Sequence, residues 1–252
     1  MKKNYLKRHS FYVDSRISLI AQNIFFLHEE DQDKKIRDIM KSILNGTKYL
    51  SDEISGEISE LHSFLKRWPI ETDGDLAGYI YLELQNKKAK NKKGQYFTPA
   101  GIVSSMTEKV ITKENYRKIR ILDPACGSGQ FLISAFQRLL SFYLEDGISP
   151  EEAGKNIIRN SLFGIDYDET AVEIARYNLA MISGVSFSFP VNIIHGSFLS
   201  EKSIFEEKNN DNLYDCILGN PPWGSSISSA DKIYYRKTFS CAKSGINTFT
   251  LF

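Results

Sequence analysis

The hydrophobic positions of residues 1–90 repeat with the period of an α-helix. The clearest stripe consists of four aliphatic residues spaced three or four apart: Ile54, Ile58, Leu61 and Leu65. Pro69 would end this helix. A second amphipathic run starts near Asp75, and residues 18–44 predict two helical stretches separated by the acidic residues 29–31. We therefore predict a small helical domain over residues 1–90, which supports the rest of the chain, clamps a substrate or contacts a partner subunit.

From about residue 119 the pattern changes to short apolar runs that alternate with helical periods. Four runs predict β-strands: residues 119–122, 162–165, 191–194 and 214–218. Residues 201–212 are polar and predict a loop or a short surface helix. Alternating strands and helices indicate a parallel sheet flanked by helices. The sequence therefore predicts an α/β fold, with a Rossmann-like domain over residues 91–252.

The first of these strands runs into the turn Asp-Pro-Ala-Cys-Gly-Ser-Gly, after which a helical period begins with Phe131, Ala135, Phe136 and Leu139 facing inward. Strand, small-residue turn and helix form the nucleotide-binding opening of a doubly wound sheet, and glycines let a ligand approach the backbone. No Gly-Lys-Ser/Thr follows, which excludes a phosphate-binding P-loop. Leu132 stands where a dinucleotide fingerprint needs its third glycine, which disfavours a dinucleotide site.

Polar residues follow the second and third strands. Asp166 ends the second strand, where a carboxylate can accept the hydroxyls of a ribose. Asp168 stands one step before a helix and predicts a helix cap. The third strand ends at His195 and leads into residues 196–199.

The fourth strand breaks abruptly at Gly-Asn-Pro-Pro-Trp, residues 219–223. Tandem prolines fix φ and remove two donors, so a rigid turn presents an amide side chain, free carbonyls and an aromatic ring. Open α/β sheets place their ligands at this carboxyl edge. A plain strand-ending turn is the alternative for these residues taken alone.

A capped helix is predicted directly after the segment Gly-Gln-Tyr-Phe-Thr-Pro, residues 94–99. Thr98 suits the N-cap and Pro99 the first helical position. One face of this helix is expected to carry three apolar residues: Ile102, Met106 and Val110. The N–H groups at its N-terminus can hold a carboxylate.

Composition excludes several classes of protein. The 252 residues are 42% hydrophobic and 25% charged, and no apolar run approaches the ~20 residues of a membrane span. No apolar signal core follows the basic N-terminus, so we expect a cytoplasmic protein. Three scattered cysteines predict no disulfide framework. Net charge is +1, so attraction to nucleic acid must be local; the lysines of residues 87–93 are a solvated linker or a phosphate contact.

Four segments together resemble the S-adenosylmethionine-dependent adenine-N6 DNA methyltransferases of restriction–modification systems. In that family GQ(Y/F)(Y/F)TP, DPACGSGxFL, an acidic strand end and (I/L)xGNPP(Y/W)G occur in this order. Here they stand at residues 94–99, 123–132, 166 and 217–224. The resemblance covers about residues 75–252 and is strongest to type I modification subunits and fused type II restriction–modification enzymes. It implies a class I methyltransferase sheet.

The resemblance implies that S-adenosyl-L-methionine is the cofactor. Asp166 would hold its ribose hydroxyls, and Phe198 would lie against its adenine. The full implied set is Tyr96, Thr98, Pro99, Asp123, Ala125, Cys126, Gly127, Gly129, Asp166, Ser197, Phe198 and Asn220. Where the family usually has an Asp that accepts from the adenine amino group, this chain has Ser197, whose neutral hydroxyl makes a weaker bond.

The resemblance also implies a catalytic set: Asn220, Pro221, Pro222 and Trp223. Chemistry on a base requires its extrusion from the duplex into a pocket, where Trp223 would stack on it. Hydrogen bonds from the exocyclic amine to the Asn220 side-chain oxygen and the Pro221 carbonyl would favour a tetrahedral nitrogen. Its lone pair would then attack the sulfonium methyl, with positioning and oriented dipoles supplying the rate. No metal is expected.

Duplex DNA is the implied substrate, and specificity and restriction subunits or a fused nuclease are the implied partners. Sheets of this family continue with three more strands and a target-recognition region. We expect the sheet of these 252 residues to be truncated after its fourth strand and the fragment to be poorly active or inactive alone. Two alternatives are a truncated remnant that only binds DNA or cofactor, and a methyltransferase acting on a protein glutamine. Trp223 and residues 94–99 favour nucleic acid.

Overall fold

The computed structural model describes the following residues: 16–21, 29–46, 52–67, 75–85, 98–186, 188–199, 214–222, 227–243, 246 and 251. Several sequence predictions lie outside the described residues: the lysines of residues 87–93, Tyr96, the polar segment 201–212 and Trp223. Among the described helices, none is long and apolar enough to cross a membrane.

The chain divides into two compact units, residues 1–69 with 76–89, and residues 70–75 with 90–252. The described part of the first unit is helical: a segment at 16–21, α1 (Glu29–Asn45), α2 (Asp52–Arg67) and α3 (Leu76–Leu84). The predicted stripe of α2 is confirmed, because all four aliphatic residues are buried. The two helical stretches predicted within residues 18–44 are confirmed as the segment 16–21 and α1, although the acidic residues 29–31 lie at the start of α1 and not between the two helices.

The second unit is built on a four-stranded parallel sheet. Its strands are β1 (Ile121–Asp123), β2 (Leu162–Asp166), β3 (Asn192–His195) and β4 (Cys216–Ile217), in the spatial order β3-β2-β1-β4. Ile121 pairs with Leu162 on one side and Cys216 on the other, and Asp166 pairs with His195. The predicted parallel sheet is confirmed, although β4 is shorter than its apolar run.

The described part of the second unit also contains α-helices and one short 3-10 helix. They are α4 (Ala100–Val110), α5 (Gln130–Glu145), α6 (Pro150–Asn160), α7 (Glu169–Ser183), α8 (Ser229–Thr238) and the 3-10 helix Ser240–Ala242. α6 and α8 were not among the predicted elements. Each begins at a serine cap: Ser149 Oγ accepts from Glu152 N–H, and Ser228 Oγ accepts from Asp231 N–H.

The main core of this unit lies between the sheet and α5, α6 and α7. The predicted inward face of α5 is confirmed, because its four apolar residues are at most 5% exposed. The predicted face of α4 is wrong, since Ile102 is 53% and Met106 37% exposed while Val103 and Thr107 are buried. The Thr107 hydroxyl bonds to Ser134 Oγ on α5 at 2.9 Å, so this polar residue is buried with its bonding satisfied. The prediction used only the spacing of apolar residues, and it therefore chose the face of α4 next to the one that is buried.

A second, smaller apolar cluster lies beside the segment that follows β3. Its buried members are Leu199, Tyr235, Ala242 and Leu251. Phe198, Ile227 and Phe239 pack against it, half-buried. This cluster, which we call the satellite cluster, anchors α8 and the 3-10 helix beside residues 198–199.

Candidate functional site

The polar residues that follow the four strands meet at one edge of the sheet, because the strands are parallel. Asp123 is the last residue of β1, and Asp166 is the last residue of β2. Ser197 follows β3 by two residues, and Asn220 follows β4 by three. The carboxyl edge therefore gathers two carboxyl groups, a hydroxyl and an amide.

The turn between β1 and α5 is held by backbone bonds and by two glycines. Cys126 N–H donates to Ile165 O of β2 at 2.8 Å, and Gly129 N–H donates to Cys126 O at 2.8 Å. Gly127 and Gly129 have φ of +52° and +93°, which favours glycine at both positions. A Cβ on Gly129 would also lie 3.3 Å from the Ala175 Cβ of α7. The turn is thus pressed between β2 and α7, which leaves no room for larger residues at Gly129.

Asp166 binds the turn through its side chain. Its Oδ2 accepts from Gly127 N–H and its Oδ1 from Asp168 N–H, both at 2.8 Å. Burial raises the pKa of Asp166 to about 6, although these two backbone donors favour the charged form. Each carboxylate oxygen has two acceptor positions, so these bonds leave Asp166 with capacity for further donors such as hydroxyls.

Asp168 is a helix cap, as predicted. Its Oδ1 accepts from Thr170 N–H at 3.1 Å and from Ala171 N–H at 3.3 Å, which satisfies two donors of the first turn of α7. The two acids near the end of β2 therefore have separate roles. Asp166 ties the turn to β2, and Asp168 starts the following helix.

Asp123 is only 1% exposed and its Oδ1 accepts from Ala125 N–H at 3.1 Å. Burial raises the pKa of this carboxyl from an ordinary 3.8 to about 8, and the negative charge of Asp166 adds to the rise. Asp123 is therefore mostly protonated at neutral pH. A cation placed beside it would favour the ionised form.

Gly219 is a site residue that its local sequence marks only as a strand breaker. A Cβ at this position would collide with Asp123 Oδ1. The exit of β4 thus passes directly against the buried carboxyl, which only glycine permits. The Gly-Asn-Pro-Pro segment carried the signal, but the neighbour that makes the glycine necessary is 96 positions earlier in the chain.

Asn220 joins two predicted motifs that are 122 residues apart. Its Nδ2 donates to Thr98 Oγ1 at 3.1 Å. The predicted capping role of Thr98 is wrong, because Pro99 occupies the N-cap of α4 and no side chain caps that helix. The Thr98 hydroxyl accepts from the amide of Asn220 instead. Pro221 and Pro222 follow, both half-buried.

The residues after β3 form a short turn at the same edge. Gly196 N–H donates to Asp166 O at 2.8 Å, and the exposed Ser197 accepts from Leu199 N–H at 3.3 Å. Phe198 is half-buried against the satellite cluster.

Cys126 is buried on the other side of Asp166, and burial raises the pKa of its thiol well above the usual range. Cys126 is therefore not a thiolate nucleophile.

Asn178 is a second residue that sequence reasoning missed. It is 2% exposed in the middle of α7, and its Nδ2 donates to Ser128 O at 2.9 Å and to Asp75 Oδ1 at 2.7 Å. The carbonyl at the centre of the glycine turn is thus held by a side chain of α7. A polar residue inside an otherwise apolar helical run was the available signal.

Comparison with known proteins identifies the family of this chain. The sequence model of the N-6 DNA Methylase family matches residues 72–248. The type II methyltransferase M.VspI of Vibrio sp. (strain 343) is 28% identical over 232 residues, which cover 91% of this chain and 48% of that protein. The chain therefore spans about half the length of this relative.

Two solved structures show the same fold. The type IIL restriction–modification enzyme MmeI in complex with DNA aligns with a TM-score of 0.55 and 17% identity, over 97% of this chain and 44% of that one. A Listeria monocytogenes protein described as a class I S-adenosylmethionine-dependent methyltransferase aligns with a TM-score of 0.51 and 16% identity, over 95% and 66% of the two chains. The predicted class I methyltransferase fold is confirmed, and the match over residues 72–248 shows that this chain belongs to the N-6 DNA Methylase family.

Proposed function

We propose that the protein transfers the methyl group of S-adenosylmethionine to N6 of an adenine extruded from duplex DNA, as part of a bacterial or archaeal restriction–modification system in the cytoplasm. The observation that carries this proposal is the hydrogen bond from Asn220 Nδ2 to Thr98 Oγ1. It brings the predicted target residue to the predicted cofactor segment, at the edge where Asp123 and Asp166 end their strands.

The charge of the site supports S-adenosylmethionine as the cofactor. The molecule carries a sulfonium and an ammonium group, and Asp123 is a buried carboxyl whose pKa of about 8 a nearby cation would lower. We assign Asp123, with Ala125, Cys126 and the glycine turn, to the methionine end. Tyr96, Thr98 and Pro99 would complete that end. When bound, the cofactor supplies an electrophilic methyl group.

Asp166 is assigned to the ribose of the cofactor. Gly127 N–H and Asp168 N–H hold its two oxygens in place, so the carboxylate is oriented before the ligand arrives. Preorganised acceptors of this kind reduce the cost of binding. Ser197 and Phe198, which follow β3, are assigned to the adenine of the cofactor.

The target residues would act on the exocyclic amine of the extruded adenine. With Nδ2 bonded to Thr98, the amide of Asn220 has a defined orientation, and its Oδ1 is the acceptor for one amine proton. The carbonyl of Pro221, in a turn whose φ angles are fixed by two prolines, would accept the other. These two acceptors would hold the amine with its lone pair directed at the methyl group that S-adenosylmethionine would supply, and the methylated amine would lose its extra proton to solvent. Trp223 and Pro222 would flank the base.

Duplex DNA is the proposed substrate of the whole protein, with specificity and restriction subunits or a fused nuclease as proposed partners. MmeI, whose fold this chain shares, was solved in complex with DNA. The family description, N-6 DNA Methylase, supports the same class of substrate.

Methyl transfer to duplex DNA by the full-length protein tests the proposal. Asn220→Ala should lower the rate by about 10²–10³-fold, the range for loss of one oriented hydrogen-bonding group. Asn156→Ala is the matched control, because Asn156 lies in α6 and bonds another exposed asparagine, Asn160. Equal transfer by wild type and Asn220→Ala would remove Asn220 from the reaction.

Calorimetry with S-adenosylmethionine on the 252-residue chain tests the cofactor site separately. Asp166→Ala should weaken binding about tenfold or more, because charge-assisted hydrogen bonds to a ligand contribute about 1.5–3 kcal/mol. Glu152→Ala, which removes an exposed carboxylate of α6, is the control. Unchanged affinity in Asp166→Ala would contradict the ribose assignment.

A further inference from the structure

A positively charged surface lies on α8 and the residues that follow it. Residues 227–243 contain four cationic side chains, Lys232, Arg236, Lys237 and Lys243, and one carboxylate, Asp231. Four cations less one carboxylate give this segment a net charge of +3, against +1 for all 252 residues. The segment is therefore a local cationic patch on a chain that is otherwise slightly acidic.

The cations of α8 face solvent. Lys232, Arg236 and Lys237 are exposed, while Tyr235 is buried in the satellite cluster. Within the described residues no carboxylate forms an ion pair with any of these three, and Asp231 Oδ2 accepts from the Ser228 hydroxyl at 2.6 Å. We call Lys232, Arg236 and Lys237 the cationic face of α8.

The packing of α8 places this helix at the carboxyl edge of the sheet. Pro222 follows β4 at one side of the sheet, whereas Ile227 and Tyr235 pack beside Leu199, which follows β3 at the other side. Because neighbouring strands are about 4.8 Å apart, β3 and β4 are separated by about 14 Å. α8 is therefore anchored on the side of the edge opposite to Asn220, with its cationic face directed away from the cluster.

A helix-dipole role accounts for only part of this pattern. Arg236 and Lys237 lie in the last turn of α8, where cations stabilise a helix by about 0.3–1 kcal/mol. Lys232 lies in the first half of the helix, where the helix dipole does not stabilise a cation. Lys232 and Arg236 are also one turn apart, so their charged groups lie along one line of the surface.

We propose that the cationic face of α8 binds the phosphate backbone of the duplex whose adenine enters the target site. The inference rests on the proposed function for the identity of the ligand. Phosphate contacts position a protein on DNA without reading sequence, and Lys and Arg side chains neutralise the phosphates in them. A helix beside residues 198–199 would hold the duplex next to the edge at which the base is extruded.

Binding of a fluorescent non-specific duplex of about 20 base pairs to the 252-residue chain, between about 50 and 200 mM salt, tests the proposal. The triple variant in which glutamine replaces all three cations of this face (Lys232→Gln, Arg236→Gln and Lys237→Gln) should bind the duplex at least about tenfold more weakly at low salt. The slope of log affinity against log salt should fall by about 0.9 for each phosphate that the variant no longer neutralises, up to about 3 in all. The control neutralises three exposed lysines on other helices and loops: Lys109, Lys118 and Lys155.

Two outcomes would overturn the proposal: equal loss of affinity and slope in both triple variants, or no salt-dependent binding by the wild type. Unfolding by urea is measured in parallel, because a role limited to the helix dipole would lower stability and leave the salt slope unchanged. Calorimetry with S-adenosylmethionine separates this inference from the proposed function. If the wild type binds S-adenosylmethionine but the α8 variant binds DNA as the wild type does, only the proposed role of α8 is rejected. If the wild type does not bind S-adenosylmethionine, the proposed cofactor site is rejected.

Discussion

Replacement of Asp123 by asparagine should stabilise the unliganded fold at neutral pH. Asp123 is 1% exposed, and burial raises the pKa of its carboxyl from 3.8 to about 8. Folding at pH 7 therefore takes up a proton. Asparagine resembles the protonated carboxyl in shape, and its oxygen can still accept from Ala125 N–H, but it needs no proton.

The magnitude follows from the two pKa values. For an acid whose folded pKa is above the unfolded one, the folded state binds more protons, so stability falls as pH rises between the two. At about 1.4 kcal/mol per pH unit, wild type should lose up to about 4 kcal/mol relative to Asp123→Asn between pH 5 and pH 8. Below the unfolded pKa the two proteins should have equal pH dependence, and above about 8 their difference should become constant.

Urea unfolding at several pH values from 5 to 9 measures this difference. Asp146→Asn is the control of opposite sign, because Lys113, the Tyr116 hydroxyl and Arg117 hold the pKa of Asp146 well below its usual range. Its contribution is present above the unfolded pKa and is lost in acid, so the variant should be less stable than wild type at neutral pH. A stability difference between wild type and Asp123→Asn that stays the same from pH 5 to pH 8 would refute the raised pKa of Asp123.

Three further predictions concern the same edge. The affinity for S-adenosylmethionine should rise with pH up to about 8, because the cationic ligand favours ionised Asp123, and calorimetry on Asp123→Asn should find weaker binding that no longer rises between about pH 7 and pH 8, above the pKa of about 6 of Asp166. Gly219→Ala should cost about 1–3 kcal/mol in unfolding free energy through its collision with Asp123, whereas Gly101→Ala, in open space on α4, should be neutral or stabilising. Asn178→Ala should cost about 1–3 kcal/mol and speed amide exchange in the glycine turn; exchange that matches wild type would contradict its role in holding Ser128 O.

Local sequence signals were sufficient for much of the fold and for the family. The ends of the first two strands (predicted to within one residue of 123 and 166), the inward face of α5 and the cap at Asp168 follow from periodicities and caps that involve residues close together in the chain. The motif order pointed to the methyltransferase family for the same reason, since each motif is a contiguous segment. α6 also had local signals, a serine followed by proline and two glutamates, so its absence from the predicted elements was avoidable.

Tertiary structure alone decided the contacts between segments far apart in the chain. Thr98 is a residue type that often caps helices, yet its hydroxyl accepts a hydrogen bond from Asn220, because the fold brings this donor from 122 residues away. α4 buries Thr107 instead of Met106, because Ser134 on α5 offers the hydroxyl a partner. The pKa of Asp123 depends on burial against Gly219 and on the charge of Asp166. Sequence by itself determined which chemical groups stand at the strand ends; desolvation and partner geometry, which exist only after the chain is packed, decided their protonation and their bonds.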